Sequence, residues 1–416
     1  MRKNPGPSLV QPKRLLSPES TTYLSKKETK SNEEPKGMNQ RVSEYILILS
    51  AVVFAVLFLG VGSWGKSPDG GRVSSAQRWN PRRVPPGVEF LGDKACAECH
   101  KKFMVPHAQT GMAMAMEAVA DSKILNEHPQ LALKVGPYSY EIKRNGKQSS
   151  YSVTDGNETI SLPILFAFGQ GKAGQTYVLQ REGKFYESLM SFYDEPKGLD
   201  FTIGARRSVP QSLNQAVGRA LSDREVLECF SCHSTGSVSG DKLQVDKMVP
   251  GIRCEGCHGP GGPHVAAVKA GETGAKLIFN PARLSGDELT QEFCASCHRG
   301  NEEFALLQSM EINNVRFQPY RIFHSKCYSD DRRISCTACH NPHEPLKTDA
   351  AFYDTKCLAC HGLKDKPQAQ AAAPACPVAN KDCASCHMPK VEVPAAHFKF
   401  TDHYIRVVKP GEKFPN

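Results

Sequence analysis

Residues 254–264 read CEGCHGPGGPH, and the first five place two thiols and an imidazole together as CxxCH. The same pattern recurs at Cys96/Cys99/His100, Cys229/Cys232/His233, Cys294/Cys297/His298, Cys336/Cys339/His340, Cys357/Cys360/His361 and Cys383/Cys386/His387. With Cys254/Cys257/His258 that makes seven copies, numbered here 1 to 7 in chain order. Cysteines at this spacing also build zinc knuckles and redox dithiols, but neither requires a histidine after the second cysteine. A porphyrin uses all three residues, because the thiols add to its two vinyl groups and the adjacent imidazole lies under the iron. The pattern predicts seven covalently bound haem c groups, with the fourteen cysteines as attachment points and the seven motif histidines as proximal ligands.

The second axial position decides what each iron does. Two strong ligands leave a low-spin electron carrier, whereas an open position admits substrate. Seven histidines lie outside the motifs. His264 follows His258 through a Gly-Pro loop that can turn it toward a neighbouring iron. His343, in CHNPH, is only three residues from His340 and is placed for a neighbouring iron rather than its own. His397 and His403, in HFKFTDH, share a face of an extended segment and stand roughly 20 Å apart, enough to serve two irons. His324, in YRIFHSKC, reads equally as a ligand or as a buried hydrogen-bonded histidine. After motif 1, His107 and Met112 compete in PHAQTGMAMAM, where the methionines also read as packing. His128 precedes Pro129 and reads as a turn residue. The candidates could supply at most seven ligands for seven irons, so one open haem stays an alternative, at motif 1 or beside Cys357.

Residues 45–64, YILILSAVVFAVLFLGVGSW, carry no charge, and 20 helical residues span roughly 30 Å of hydrocarbon. Nine Lys and Arg precede them, which predicts one transmembrane anchor with the N-terminus inside and the haem-bearing part in the bacterial periplasm. A cleaved signal peptide is the competing reading. The polar residues 1–44 read as a disordered tail, and Met38 is an alternative start. Export also suits the cofactor, because c-type haem is attached outside the inner membrane. Cys327 and Cys376, the two cysteines left over, would there form a disulfide or remain as buried thiols.

The formal charge of +9 is no nucleic-acid signal. The tail holds nine basic and five acidic residues, so +4 belongs to it and +5 to the rest, which the propionates of seven haems would offset. Redox proteins and the membrane are the partners expected, and oligomeric state is not legible.

Spacing divides the remainder into a linker (65–92), a motif 1 segment (93–135), a β-rich insertion (136–205) and a six-haem domain (206–416). In the insertion, Tyr138, Tyr140 and Ile142 alternate, Asn145-Gly146 and Asp155-Gly156 mark turns, and TYVLQ-REGK-FYESL reads as a hairpin. PILFAFGQGKAG reads as less regular. SLNQAVGRALSDREVLECFSCH carries a helical apolar stripe at 213, 217, 221 and 227 leading into motif 2. From motif 2 to motif 7 there is one haem per roughly 26 residues, too dense for a conventional core. The fold class expected is therefore a multihaem cytochrome c fold. It is loop-rich, with mainly short α-helices around stacked haems, a small antiparallel β insertion and one N-terminal transmembrane helix.

CEGCHGPGGPH, CTACHNPHEP, and CASCHMPK followed by HFKFTDH resemble the multihaem c-type cytochromes related to the electron-accepting cytochrome of hydroxylamine oxidation and to octahaem nitrogen-oxide enzymes. FLGDKACAECH and FGQGKAGQTY are similar to an extended branch of that group. The resemblance covers roughly residues 90–408 and implies electron transfer through closely packed haem pairs, with His264 and His343 at ligand positions. CxxCK, the lysine-ligated motif of many nitrite reductases, is missing from the chain. A membrane-anchored carrier between a respiratory donor and an acceptor is the function these readings predict. An oxidoreductase for a small nitrogen or sulfur compound is the alternative.

Overall fold

The computed structural model describes residues 79–307, 311–329, 334–362, 375–393, 396–409 and 411–415. The expected tail, the apolar span 45–64 and nearly all of KDKPQAQAAAPA (364–375) lie outside them. Among the described residues no helix is long and apolar enough to cross a membrane.

β-Structure is far more extensive than a small insertion. Strands β1 (Met116–Ala118), β2 (Gln130–Val135), β3 (Tyr138–Asn145), β4 (Gln148–Thr154) and β5 (Thr159–Gly171) come first. They are followed by β6 (Gly174–Arg181), β7 (Lys184–Ser188), β8 (Met190–Tyr193), β9 (Gly198–Phe201) and β10 (Gly218–Ala220). They form one antiparallel sheet in the order β10-β7-β6-β5-β4-β3-β2, with β1 on β5 and the β8/β9 pair joined through β6. The expected hairpin forms as β6 and β7, with Val178 opposite Glu187 and Leu179 opposite Tyr186.

The stretch read as irregular, PILFAFGQGKAG, supplies most of β5, the longest strand of the sheet. Its register shifts between Ile164 and Phe166 and between Phe168 and Gly171 explain why period-2 alternation was invisible there. Gly169 sits at φ 93°, and a Cβ there would strike the carbonyl oxygen of Gly174. Glycine is therefore obligatory at this bulge.

One side of the sheet closes over Leu125, Tyr140, Ile142, Tyr177, Leu179 and Phe192, all buried. A second cluster joins the sheet to the haem-bearing region. Phe166, Phe168 and Phe185 surround Phe230, with ring centroids 5.0, 5.2 and 5.8 Å from it. Phe230 lies between the cysteines of motif 2 on the helix Asp223–His233.

That helix is shorter than the apolar stripe implies. The segment from 213 breaks into a helical turn, Leu213–Val217, then β10, then Asp223–His233. Gly218, at φ 140°, ends the first helix, and Ser222 starts the second with a capping box in which Glu225 reaches back to the Ser222 N–H at 2.9 Å.

Residues 79–92 are packed rather than a linker. Trp79 is 9% exposed and its indole N–H donates to the Gly256 carbonyl at 2.8 Å. Val84 N–H bonds Val238, and Arg82 bonds the Ser231 hydroxyl and the Ser296 carbonyl. Beyond residue 250 the chain is short helices and loops, ended by a two-stranded ribbon of Lys390–Glu392 and Lys399–Thr401. The spacing of one motif per few turns leaves no room for longer elements.

Candidate metal centres

The CxxCH segments at motifs 3 and 7 are each one complete helical turn, Cys254–His258 and Cys383–His387. Motif 2 ends the helix Asp223–His233 and motif 1 lies inside Asp93–Ala108. A helical turn puts residues i, i+3 and i+4 on one face, so both thiols and the imidazole confront the same space. Among the described residues no three of His, Cys, Asp or Glu gather as they would around a bare ion.

Several imidazoles are oriented by second partners. His233, His258 and His387 place Nδ1 on the backbone carbonyls of Ala115, Phe279 and Arg406 at 2.9, 3.1 and 3.0 Å. Gln318 serves His298, and the Tyr353 hydroxyl lies 3.4 Å from His340 Nδ1. A carbonyl fixes the tautomer with the proton on Nδ1, which leaves the Nε2 lone pair for a metal. Desolvation by the surrounding protein holds His233, His258, His298 and His340 below the usual histidine range, favouring the neutral ligand form.

Two candidate distal residues face motif histidines across a gap of the right size. His343 lies 5.9 Å from His258 between ring centroids with planes 16° apart, and His403 lies 6.1 Å from His340. Two metal–nitrogen bonds of about 2 Å, plus about 1 Å from each nitrogen to its ring centre, put a bis-imidazole pair about 6 Å apart. His403 also sets Nδ1 on the Thr401 carbonyl at 3.0 Å, and desolvation pushes its pKa down to about 4.

His264 shows the same orientation, with Nδ1 3.0 Å from the Gly274 carbonyl. Its helix, Gly262–Lys269, runs beside motif 1, where Lys269 Nζ is 3.6 Å from Glu98. His107, half-buried at the end of the motif 1 helix, lies near His258 and His343. Met112 spends its carbonyl on the Ile252 N–H at 2.9 Å.

Three histidines are differently engaged. His397 does not share a face with His403 toward two irons, because its Nε2 is held by Asp200 at 2.6 Å. Its backbone, at φ 49°, turns there instead of staying extended. His324 is exposed among Tyr320, Phe323 and Tyr404. His128 packs on Phe192, centroids 4.8 Å apart, in the sheet.

The motifs touch one another. The thiols of Cys96 and Cys254 meet, as do those of Cys232 and Cys297, Cys294 and Cys336, and Cys357 and Cys383. Cys257 lies close enough to Cys294, and Cys357 to Cys339, for their charges to interact. The resulting order in space is 1-3-4-5-6-7, with motif 2 joined at motif 4. Cys376 is exposed and stands outside any disulfide among the described residues.

Identical spacing makes the seven motifs equivalent in sequence, but the structure does not treat them alike. The second cysteine is exposed in motifs 1, 6 and 7, at Cys99, Cys360 and Cys386, whereas in motifs 2 to 5 it is half-buried. His100 and His361 are exposed as well, in contrast to the half-buried His233, His258, His340 and His387. His298 is exposed too, although desolvation by nearby protein holds its imidazole below the usual histidine range. His100 also leaves helical geometry, at φ −104° and ψ 35°, where the motif 1 helix kinks, and its ring lies 6.5 Å from Phe103.

Residues that hold this array together carried no motif. Glu255, 3% exposed, accepts from the N–H groups of Leu91, Gly92 and Gly261 at 3.1, 2.7 and 2.8 Å. It thereby ties the approach to motif 1 and the loop bearing His264 to motif 3. Asp354 does the same between motifs 6 and 7, accepting from Asp382 and Cys383 at 2.7 and 2.8 Å. Gly251 has φ 75°, and a Cβ there would collide with the Ala113 carbonyl, so only glycine lets the strand before motif 3 cross the turn after motif 1.

Comparison with known proteins agrees with this chemistry. A family described as cytochrome c554 and c-prime matches residues 204–259, which contain motifs 2 and 3. A multiheme cytochrome MtrA from Shewanella baltica (strain OS185) is 24% identical over 172 residues, 39% of this chain and 45% of that one. Both matches support a multihaem c-type cytochrome family for the chain. No solved structure matches it significantly. The cytochrome spans under half the length of that relative, and its cofactor is covalently bound haem c, whose iron supplies a one-electron couple.

Proposed function

We propose that this cytochrome carries seven haems, each bound by the two cysteines and proximal histidine of one CxxCH motif. In this reading His343 closes the iron on His258 and His403 the iron on His340, while His264 serves the haem of motif 1. The observation that carries it is the pair of imidazole separations, 5.9 and 6.1 Å, each matching one metal ion between two rings. At Cys99/His100, Cys360/His361 and Cys386 the assignment rests on the motif chemistry alone. The exposure of Cys99 and His100 in motif 1 and of Cys386 in motif 7 suits the two ends of a relay, where a haem edge at the surface exchanges electrons with a partner. Motif contacts along the order 1-3-4-5-6-7 favour such a relay over substrate chemistry. The apolar span 45–64 and its basic flank support an inner-membrane anchor with the haems in the periplasm, passing electrons between a respiratory donor and a redox protein partner.

A second reading, reduction or oxidation of a small nitrogen or sulfur compound at one open haem, rests on His397. With its Nε2 on Asp200, the ligand set falls short of seven. Pyridine haemochrome and EPR of the oxidised protein test both. Seven haems with only low-spin signals, unchanged by nitrite or hydroxylamine, are expected of the carrier. A high-spin signal near one iron that responds to those compounds would replace it with the enzyme.

A further inference from the structure

Between motifs 2 and 4 the protein gathers positive charge and hydrogen-bonding capacity that its own described groups satisfy only in part. The short helix Glu311–Arg316 buries Asn314 completely, and both its amide nitrogen and its amide oxygen lack a partner. Buried amides are almost always satisfied, and leaving one bare costs roughly 1–3 kcal/mol. Arg316, two residues on, forms no ion pair among the described residues, and its guanidinium sits 5.9 Å from the ring of Phe400. Arg299, directly after His298 of motif 4, lies over Phe317 at 5.1 Å, which brings it to the end of the same helix.

The carboxylates nearby are spent. Glu303 is 3.9 Å from Arg299, while Asp200 is taken by Arg207 at 2.8 Å and by His397. Burial and the charge of Arg299 both act against the protonated form of Arg316. Its charge is also felt by His233 of motif 2, which in turn lies near His298. The half-buried guanidinium of Arg316 and the orphaned amide of Asn314, with Arg299 beside them only loosely paired to Glu303, call for an anion.

We propose that Asn314, Arg316 and Arg299 form the receptor for a haem propionate of the motif 2–motif 4 pair. The site is a carboxylate site, and it rests on the reading that these motifs carry haem. Asn314 donates its Nδ2–H and the arginines their N–H groups to the carboxylate. A propionate is favoured over a solution anion because it is delivered with each attached porphyrin and is present whenever the chain folds.

The test compares the wild-type holoprotein with Arg316→Gln, Arg316→Lys and Asn314→Leu. Haem count by pyridine haemochrome, spectropotentiometry, and infrared difference spectra with isotope-labelled propionates are the readouts. In Arg316→Gln the reduction equilibrium constant of one haem falls about tenfold, about 59 mV for one electron. Its propionate carboxylate band shifts, Arg316→Lys restores most of both, and Asn314→Leu shifts the band alone. A full haem count with neither change in Arg316→Gln overturns the assignment. A saturable response of the wild-type potentials to added nitrite or sulfate, lost in Arg316→Gln, also overturns it in favour of a solution anion. Fewer than seven haems in the wild type would instead defeat the underlying reading of the motifs. If Arg316→Gln does not load haem, the potential and band position of Arg316→Lys and Asn314→Leu decide.

Discussion

His258 and His343 face each other with ring planes 16° from parallel, although 85 residues separate them in the chain. Phe103, from the helix of motif 1, packs on His343 at 4.8 Å and holds it there. His343→Ala should therefore convert one haem, that of motif 3, from low-spin to high-spin ferric iron. His403→Ala should do the same at motif 5, and the double variant should show two such irons by EPR. His324→Ala, removing an exposed ring, should leave the spectrum unchanged.

Asp402 is fully buried with Arg321, 1% exposed, and the two make a bidentate pair at 2.8 and 2.9 Å. Arg406 adds a third contact to Asp402 at 2.8 Å. Removing one partner of such a pair strands the other charge, so Asp402→Asn should cost about 3–5 kcal/mol in denaturant unfolding. Because His403 follows Asp402 directly, a low-spin haem should be lost at milder denaturant than in the wild type.

Glu255→Gln keeps the shape of the carboxylate but replaces a charged acceptor of three backbone N–H groups by a neutral one. The loss should be about 1–3 kcal/mol, read as a lower midpoint of thermal unfolding. The spectra of motifs 1 and 3 should change together, and those of motifs 6 and 7 should not.

Glu225 gives the stability a defined acid dependence. The Ser222 N–H, its hydroxyl and the Arg219 guanidinium hold the Glu225 carboxyl at about 2, against an ordinary value of 4.5. A depressed carboxyl stabilises the fold above its unfolded pKa and loses that contribution as pH falls from about 4.5 toward 2. Melting temperatures of wild type and Glu225→Gln should differ at neutral pH and converge across that window. The difference should be small, because Glu225 is largely exposed.

Cys376 lies at the surface with the N–H groups of Ala379 and Val378 favouring its thiolate. The folded holoprotein should take up one maleimide there without reductant, and Cys376→Ser should lose it. Reaction only after reduction would restore the disulfide to Cys327.

The motifs were legible because a cofactor dictates their spacing, and so was the hairpin at REGK, where a turn dictates it. What the sequence could not carry was pairing at a distance. The three-residue gap between His340 and His343 told that His343 serves another iron, but not that the iron belongs to motif 3. His397 looked as good a ligand as His403, since nothing local announces Asp200, almost two hundred residues away. Nor does CxxCH say how deep it lies, so the open flanks of His100 and His361 had no signature. Glu255, Asp354 and Asn314 left no trace in pattern, because their work is to satisfy backbone groups or an outside anion. The sheet was underestimated where bulges break the period of β5.

The contacts among the motif cysteines make a trunk with one side branch. For charge hopping between neighbours, losing motif 2 leaves every station from motif 1 to motif 7 in connection. Losing motif 4 divides the molecule into three isolated parts: motifs 1 and 3, motif 2, and motifs 5 to 7. Motif 4 is thus the one station with three neighbours, and in the proposed relay charge entering at either end would reach motif 2 only through it.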